Sequence, residues 1–175
     1  GSYSYTGYFG SKGNDGTRWT YYQTRGEAQN TIIANPTVLA DQESEAVGHL
    51  IKSGSATNEA FGIFDITSTN TAFKSAKRGA FLLDNRSKVL IQDEITTNTP
   101  SEIYWFAHTP ADITVSEDGK SALLEMQGER LLVRIVHGPA NAKISVYDSK
   151  PLITSPSPQG QNLSFGKKLA IHLTD

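Results

Sequence analysis

The sequence predicts an all-β fold, an antiparallel β-sandwich of roughly ten or more strands with little helix. Three observations predict it. Beyond residue 18 the apolar residues recur with period two almost everywhere, and Gly, Pro, Asn, Asp and Ser clusters bound the runs at regular spacing. The third is that no segment carries a long helical stripe.

Residues 1–18 are a Gly-, Ser- and Tyr-rich segment in which Gly10 to Gly16 reads as a loop, and residues 19–175 read as one sandwich domain. Gly1-Ser2 reads as a cloning remnant, so the native N-terminus is expected to be missing. Ile32-Ile33-Ala34 begins a strand that Pro36 ends, because proline removes a ladder donor. Val47–Ile51 and Ala60–Phe64 follow as short strands. Gly79–Leu83 and Lys88–Ile91 make a hairpin around Asp84-Asn85-Arg86-Ser87, whose Asp-Asn pair favours a turn. Glu102–His108 is an aromatic strand, and Ile113–Val115 comes next. Glu117-Asp118-Gly119-Lys120 turns the chain into Ser121–Gln127, and Gly128-Glu129 leads into Leu131–Val136. Ala142–Tyr147 and Lys168–Leu173 close the series. Only Asp41–Gly48 and Asn70–Lys77 read as helical, each a turn or two, and the Pro- and Gly-rich stretch 148–166 reads as an ordered loop crossing the sheet.

Composition narrows the function. The net charge is -2 with acids and bases interspersed, which gives no basic stripe for nucleic acid and little positive field for a polyanion. A sulfated glycosaminoglycan would need positive charge from elsewhere; a neutral or uronic-acid-containing glycan suits this surface equally well. There are no cysteines, which excludes disulfides, thiolate metal sites and cysteine nucleophiles. No apolar run approaches the roughly 20 residues of a membrane helix.

The densest functional signal is Trp19-Thr20-Tyr21-Tyr22-Gln23-Thr24-Arg25-Gly26-Glu27-Ala28-Gln29-Asn30-Thr31. Aromatics, an arginine and an amide pair stand at the mouth of a strand, a composition that suits a sugar-binding face. Trp19, Tyr22, Arg25, Gln29 and Asn30 are the candidate substrate-binding residues. Aromatic rings stack on sugars, and Arg25 pairs either with a substrate carboxylate or with Glu27. Core or domain-interface packing is the other reading of the aromatics. On a regular strand Tyr21 and Tyr22 would point to opposite faces, so packing is expected for at least one of them.

This stretch resembles the start of the β-sandwich domain in heparinase II-like polysaccharide lyases, roughly W-x-Y-Y-R-x-R-T-E-G-H-N-T-L, with Gln29 where the family carries histidine. The likeness continues through Asn35-Pro36, Asp41-Gln42, Phe64-Asp65-Ile66-Thr67, Arg78 and Val89-Leu90-Ile91-Gln92-Asp93-Glu94-Ile95. It goes on through Tyr104-Trp105-Phe106-Ala107-His108-Thr109, Asp118-Gly119-Lys120, Pro151-Leu152, Ser155-Pro156, Gln161-Asn162 and Lys167-Lys168-Leu169-Ala170-Ile171. The resemblance implies a bacterial secreted or periplasmic protein whose parent cleaves uronic-acid-containing polysaccharide by β-elimination. There a base removes the C5 proton and the adjacent carboxylate is neutralised. Much of that chemistry belongs to an α/α-toroid domain missing from this chain, so no catalytic residue is assigned here.

The resemblance also implies a zinc site whose three positions fall on Gln29, Asp65 and His108. Zinc prefers imidazole, thiolate and carboxylate over a neutral amide, so a lapsed or weakened site is expected. His108 reads equally as a buried histidine hydrogen-bonded beneath the sheet, and Asp65 as a turn cap through Thr67 or Ser68. His49, His137 and His172 read as ordinary. Asp93-Glu94 is no glycosidase pair, because adjacent strand residues point apart; Asp93 reads as tying down a turn. The expected function is an accessory, non-catalytic β-sandwich domain of a heparinase II-like lyase, with polysaccharide and the toroid as partners. A free-standing carbohydrate-binding module, with Trp19 and Trp105 on one exposed face, and a purely structural domain are the alternatives.

Overall fold

The computed structural model describes residues 13, 15–37, 39–155 and 166–174. Among them, eleven strands pair only antiparallel and the helical elements are short 3₁₀ turns. The strands fall into two compact units, one built from residues 1–42 and 101–175 and the other from residues 43–100. The second unit is thus inserted in sequence within the first.

The first unit is a sandwich. One sheet contains β1 (Ile32–Ala34), β6 (Glu102–Thr109), β11 (Lys167–Thr174) and β10 (Ile144–Asp148), in that spatial order. The other is a meander of β7 (Asp112–Val115), β8 (Ser121–Met126) and β9 (Glu129–Arg134). Alternation decides which residues meet between them. Leu169 and Ile144, with Trp105, Ala107 and Ile171, pack on Ala122 and Leu124 and on half-buried Ile113, Val115 and Val133. Burying each large side chain of this kind stabilises the fold by about 1.5–3 kcal/mol.

The opposite face of the four-stranded sheet holds Ile33, Tyr104, Phe106 and Ala170. On that face His108 stands directly across the ladder from Lys168, and Tyr104 from His172. Tyr104 and His172 stack with centroids 4.0 Å apart and planes tilted 6°. Residues 148–155 turn past this face, with Leu152 against its core; the rest of the predicted crossing loop, and most of the predicted N-terminal loop, lie outside the described residues.

The second unit is a four-stranded meander, β2 (His49–Ser55), β3 (Ala60–Asp65), β4 (Phe73–Leu83) and β5 (Lys88–Thr97). Both expected helices are absent here. Residues 41–48 form irregular turns, while Asn70 caps a turn through its Oδ1, 2.9 Å from Ala72 N, and β4 starts at Phe73. The hairpin is also longer than its apolar runs. Ladder bonds need no apolar side chain, and cross-strand Lys77–Glu94 and Arg78–Asp93 pairs carry the extension. Asp93 therefore does not hold a turn: it receives a bidentate grip from Arg78, Nε to Oδ1 at 2.7 Å and Nη2 to Oδ2 at 2.9 Å, in mid-ladder.

At the hairpin tip Asp84, Asn85 and Arg86 have φ of 52°, 55° and 64°. Asp and Asn visit this left-handed region readily; arginine does not. Arg86 is held there by its guanidinium, which donates to Ala56 O at 2.9 Å and Thr57 O at 3.0 Å in the β2–β3 turn. Replacing it should therefore loosen two turns at once. Arg86→Ala is expected to cost about 1–2 kcal/mol in a denaturant titration, and Arg86→Gly less, because glycine relieves the backbone. A Gly variant as unstable as the Ala variant would show that the clamp alone matters; two neutral variants would remove it as a stabilising element.

Candidate functional site

The site forms where residues 17–28 lie over the four-stranded sheet. This segment is not a strand. It is three consecutive 3₁₀ turns, Thr17–Thr20, Tyr22–Thr24 and Gly26–Ala28, hinged at extended Tyr21 and Arg25. Threonine hydroxyls favour this local path by capturing nearby carbonyls: Thr20 Oγ1 donates to Thr17 O at 2.7 Å, and Thr24 Oγ1 donates to Arg18 O at 2.7 Å. Without strand alternation both Tyr21 and Tyr22 turn inward, at 1 % and 0 % exposure.

Arg25 is the centre of a buried charge cluster. Its Nη2 donates to Asp41 Oδ1 at 2.8 Å and to the Thr37 carbonyl, and its Nε lies 3.3 Å from Asp41 Oδ2. Glu27 N donates to the same Asp41 Oδ2 at 2.9 Å. The Glu27 carboxylate, 3.5 Å from Arg25 Nε, accepts Ser155 Oγ at 2.8 Å and Leu152 N at 3.1 Å through Oε2. Gly26 is fixed by packing, since a Cβ there would lie 2.9 Å from Ile33 Cγ2 and 3.1 Å from Asp41 Cβ. Burial and the Asp41 charge push the Glu27 carboxyl above its ordinary range, against the opposing pull of Leu152, Ser155 and Arg25.

Lys168 is the second buried cation. Its ammonium donates to Tyr22 Oη at 3.1 Å, Lys150 O at 3.2 Å and Glu27 O at 3.3 Å, and it lies 4.3 Å from the Phe106 ring centre. Three partners match its three donors. Burial lowers its pKa to about 8 despite the Glu27 and Asp41 charges. Tyr22 passes the chain of bonds onward, with Oη 3.1 Å from His108 Nε2. Tyr22 Oη also donates to Glu27 O at 3.4 Å, so the phenol oxygen has Lys168, Glu27 and His108 around it. His108 Nδ1 is buried without a partner among the described residues. Burial first, and then the Lys168 charge, hold His108 neutral down to about pH 4. Burial, reinforced by Glu27 and Asp41, raises the Tyr22 hydroxyl. Arg25 and Lys168 thus balance Glu27 and Asp41 in a region closed to solvent.

The expected substrate-binding residues separate cleanly by exposure. Tyr22 and Arg25 are fully buried and committed to the interior, whereas Gln29 and Asn30 are exposed. Gln29 Nε2 donates to Gln23 O at 3.0 Å, and Asn30 Oδ1 accepts His108 N at 2.8 Å, tying the segment to β6. Trp19 is half-buried and donates from Nε1 to Gly13 O at 2.7 Å. Trp105 packs between the two sheets, on the face of its sheet opposite Tyr104 and Phe106.

The residues mapped onto zinc do not fit it. His108 Nε2 faces the Tyr22 hydroxyl, the Gln29 amide is bound to Gln23, and Asp65, in the second unit, accepts Thr67 N at 2.9 Å. Thr67 hydrogen bonds hold the Asp65 carboxyl below its usual range, as expected of a turn cap. Among the described residues no three His, Asp or Glu side chains are grouped to hold a metal ion. Two open depressions at the ends of the β-meander are rimmed by Asp112, Glu125 and Glu129, and by Glu117 and Asp118; their acidity is the wrong sign for a uronate.

Glu27, Asp41, Ser155 and Lys168 complete the site. The sequence marks Glu27 only as a partner for Arg25, and Lys168 only as a cation in step with Ala170 on an apolar strand. No protein-family model matches the chain, and no curated protein is significantly similar to it.

Two outcomes follow from the buried charges. Arg25→Met leaves Asp41 and Glu27 uncompensated and is expected to cost about 3–5 kcal/mol of stability by denaturant unfolding. His108 and Lys168 each contribute a pH dependence, and the raised Glu27 carboxyl acts in the opposite sense to His108 on the acid side. The unfolded imidazole, near 6.5, holds a proton more tightly than the folded one, near 4, so stability falls as pH drops from about 6.5 to 4. Lys168 acts likewise between about 8 and 10.5, where stability rises with pH. His108→Gln keeps a hydrogen-bond partner for Tyr22 and should flatten the acid limb of the unfolding midpoint; an unchanged limb would assign it to other groups.

Proposed function

We propose that this chain is the accessory β-sandwich portion of a heparinase II-like polysaccharide lyase, without catalytic activity on its own. One observation carries the reading. The motif residues on which the resemblance rests are far apart in sequence, yet Tyr22, Arg25, Glu27, Asp41, His108, Ser155 and Lys168 interlock in one buried cluster. A chance scatter of short matches has no reason to converge on one set of hydrogen bonds.

The same geometry favours an accessory role. β-Elimination needs a base within reach of C5 and a cation or donor at the uronate carboxylate. Arg25 and Lys168 are buried and engaged, and His108 is already hydrogen-bonded to Tyr22, so this cluster offers no base or cation to a sugar. With Trp105 packed between sheets, the pair of tryptophans required by a free-standing carbohydrate module does not share an exposed face. Meanwhile Leu50, Phe64, Val89 and Ile91, all at least 40 % exposed, share one face of the second unit's sheet. Contiguous apolar surface of this kind suits a domain that is covered in a larger protein. The polysaccharide and the helical domain are the partners of that parent, and a secreted or periplasmic location accompanies the reading.

The chain alone is expected to release no unsaturated uronate from polyuronates, by absorbance, and to show no retardation in affinity electrophoresis with the same glycans. The protein carrying the helical domain should release it. Cleavage by this chain alone, or a gene encoding no such domain, would sink the proposal; glycan retardation without cleavage would favour the carbohydrate-module reading instead.

A further inference from the structure

The second unit's sheet has two edges, and they differ. Its β2 edge is interrupted by a bulge between Leu50 and Lys52, a feature that twists an edge away from further pairing. Its β5 edge is regular. From Lys88 to Thr96 it pairs with β4 residue for residue, with no bulge, proline or glycine, and its outer side meets no strand of this sheet. Val89 is 67 % and Ile91 40 % exposed. A long, regular edge strand with exposed apolar residues, which pairs with no strand on its outer side among the described residues, is a template for another strand.

We propose that β5 pairs with β5 of a second copy, antiparallel about a two-fold axis through Ile91. Charge complementarity selects both the occupant and the register. A two-fold antiparallel pair that keeps corresponding faces on one side must place residues of like parity opposite each other. Centring on Asp93 sets two aspartates against each other, centring on Gln92 sets Leu90 against Glu94, and centring on Leu90 sets Val89 against Ile91 but Lys88 against Gln92, with no ion pair. Centring on Ile91 puts Ile91 on its symmetry mate and Lys88 opposite Glu94 twice. Val89 then faces Asp93, whose charge Arg78 already answers at 2.7 Å. Lys88 is free to swing across, since its tie to Asp84 is a solvent-exposed pair with the lysine side chain 70 % accessible. Glu94 is exposed on the same face of the strand. The product is an eight-stranded sheet in which the apolar faces of the two copies run together.

Sedimentation equilibrium of the full chain over a concentration series tests this. The unmodified chain is expected to dimerise, and Lys88→Glu or Glu94→Lys to weaken the dimer on the order of tenfold or more, because each substitution acts twice about the axis. Mixed in equal amounts, the two variants should associate with each other, since the introduced Glu at 88 meets the introduced Lys at 94 at one position and the native Glu94 meets the native Lys88 at the other. Circular dichroism of each variant confirms that it is folded. A chain that stays monomeric at every concentration overturns the proposal, and so does a dimer that neither substitution weakens. Failure of the mixed variants to associate overturns the Lys88–Glu94 register.

Discussion

Burying the Arg25–Asp41 pair is the constraint around which the first unit is arranged. An arginine without water is tolerable only if its charge is answered, and the carboxylates that answer it must be answered in turn, even though Arg25 Nη1 and Glu27 Oε1 have no hydrogen-bond partner among the described residues. Asp41 meets Arg25 and the Glu27 amide; Glu27 meets Ser155 and Leu152; Lys168 lies over the Glu27 carbonyl and Tyr22. Each partner comes from a different part of the chain. The cluster thereby fixes where residues 17–28 sit on the sheet and where the segment after β10 crosses it. An apolar interface of the same size would tolerate sliding; this one has a single register that satisfies its charges.

Much of the fold was legible in the sequence because period two and turn residues are local signals. The Asp84–Ser87 hairpin and the Asp118-Gly119 turn needed only a few neighbouring residues to be read. The misplacements have a common origin. Asn70–Lys77 reads as a helical turn and the second hairpin strand reads only as Lys88–Ile91, because polarity in a ladder residue hides the backbone pairing that keeps it extended. Residues 19–28 failed for the opposite reason. Their aromatics suggested strand, while threonine hydroxyls competing for carbonyls made a succession of tight turns.

The site was legible as a place more than as an arrangement. Polar density around Arg25 marked the right segment, yet residue type cannot tell a guanidinium facing a ligand from one facing a buried aspartate. That distinction depends on Asp41, Ser155 and Lys168, which lie 16, 130 and 143 positions from Arg25. The separation also explains why Tyr22 and His108 belong together chemically. Only the packing of residues 17–28 on β6 and β11 brings the phenol to the imidazole.

The strand order of the first unit carries a temporal consequence. β11 comes last among the described strands, yet it lies inside its sheet, between β6 and β10. Tyr22 waits for Lys168 across 146 positions, and Glu27 for Ser155 across 128. During synthesis the inserted meander, whose strands pair only with their sequence neighbours, can close early. So can β7 to β9, but the four-stranded sheet of the first unit cannot. Until β11 emerges, β6 lacks a neighbour on one side and the residues around Arg25 hold charges with nothing to enclose them, so a nascent chain carries two finished meanders and one open sheet.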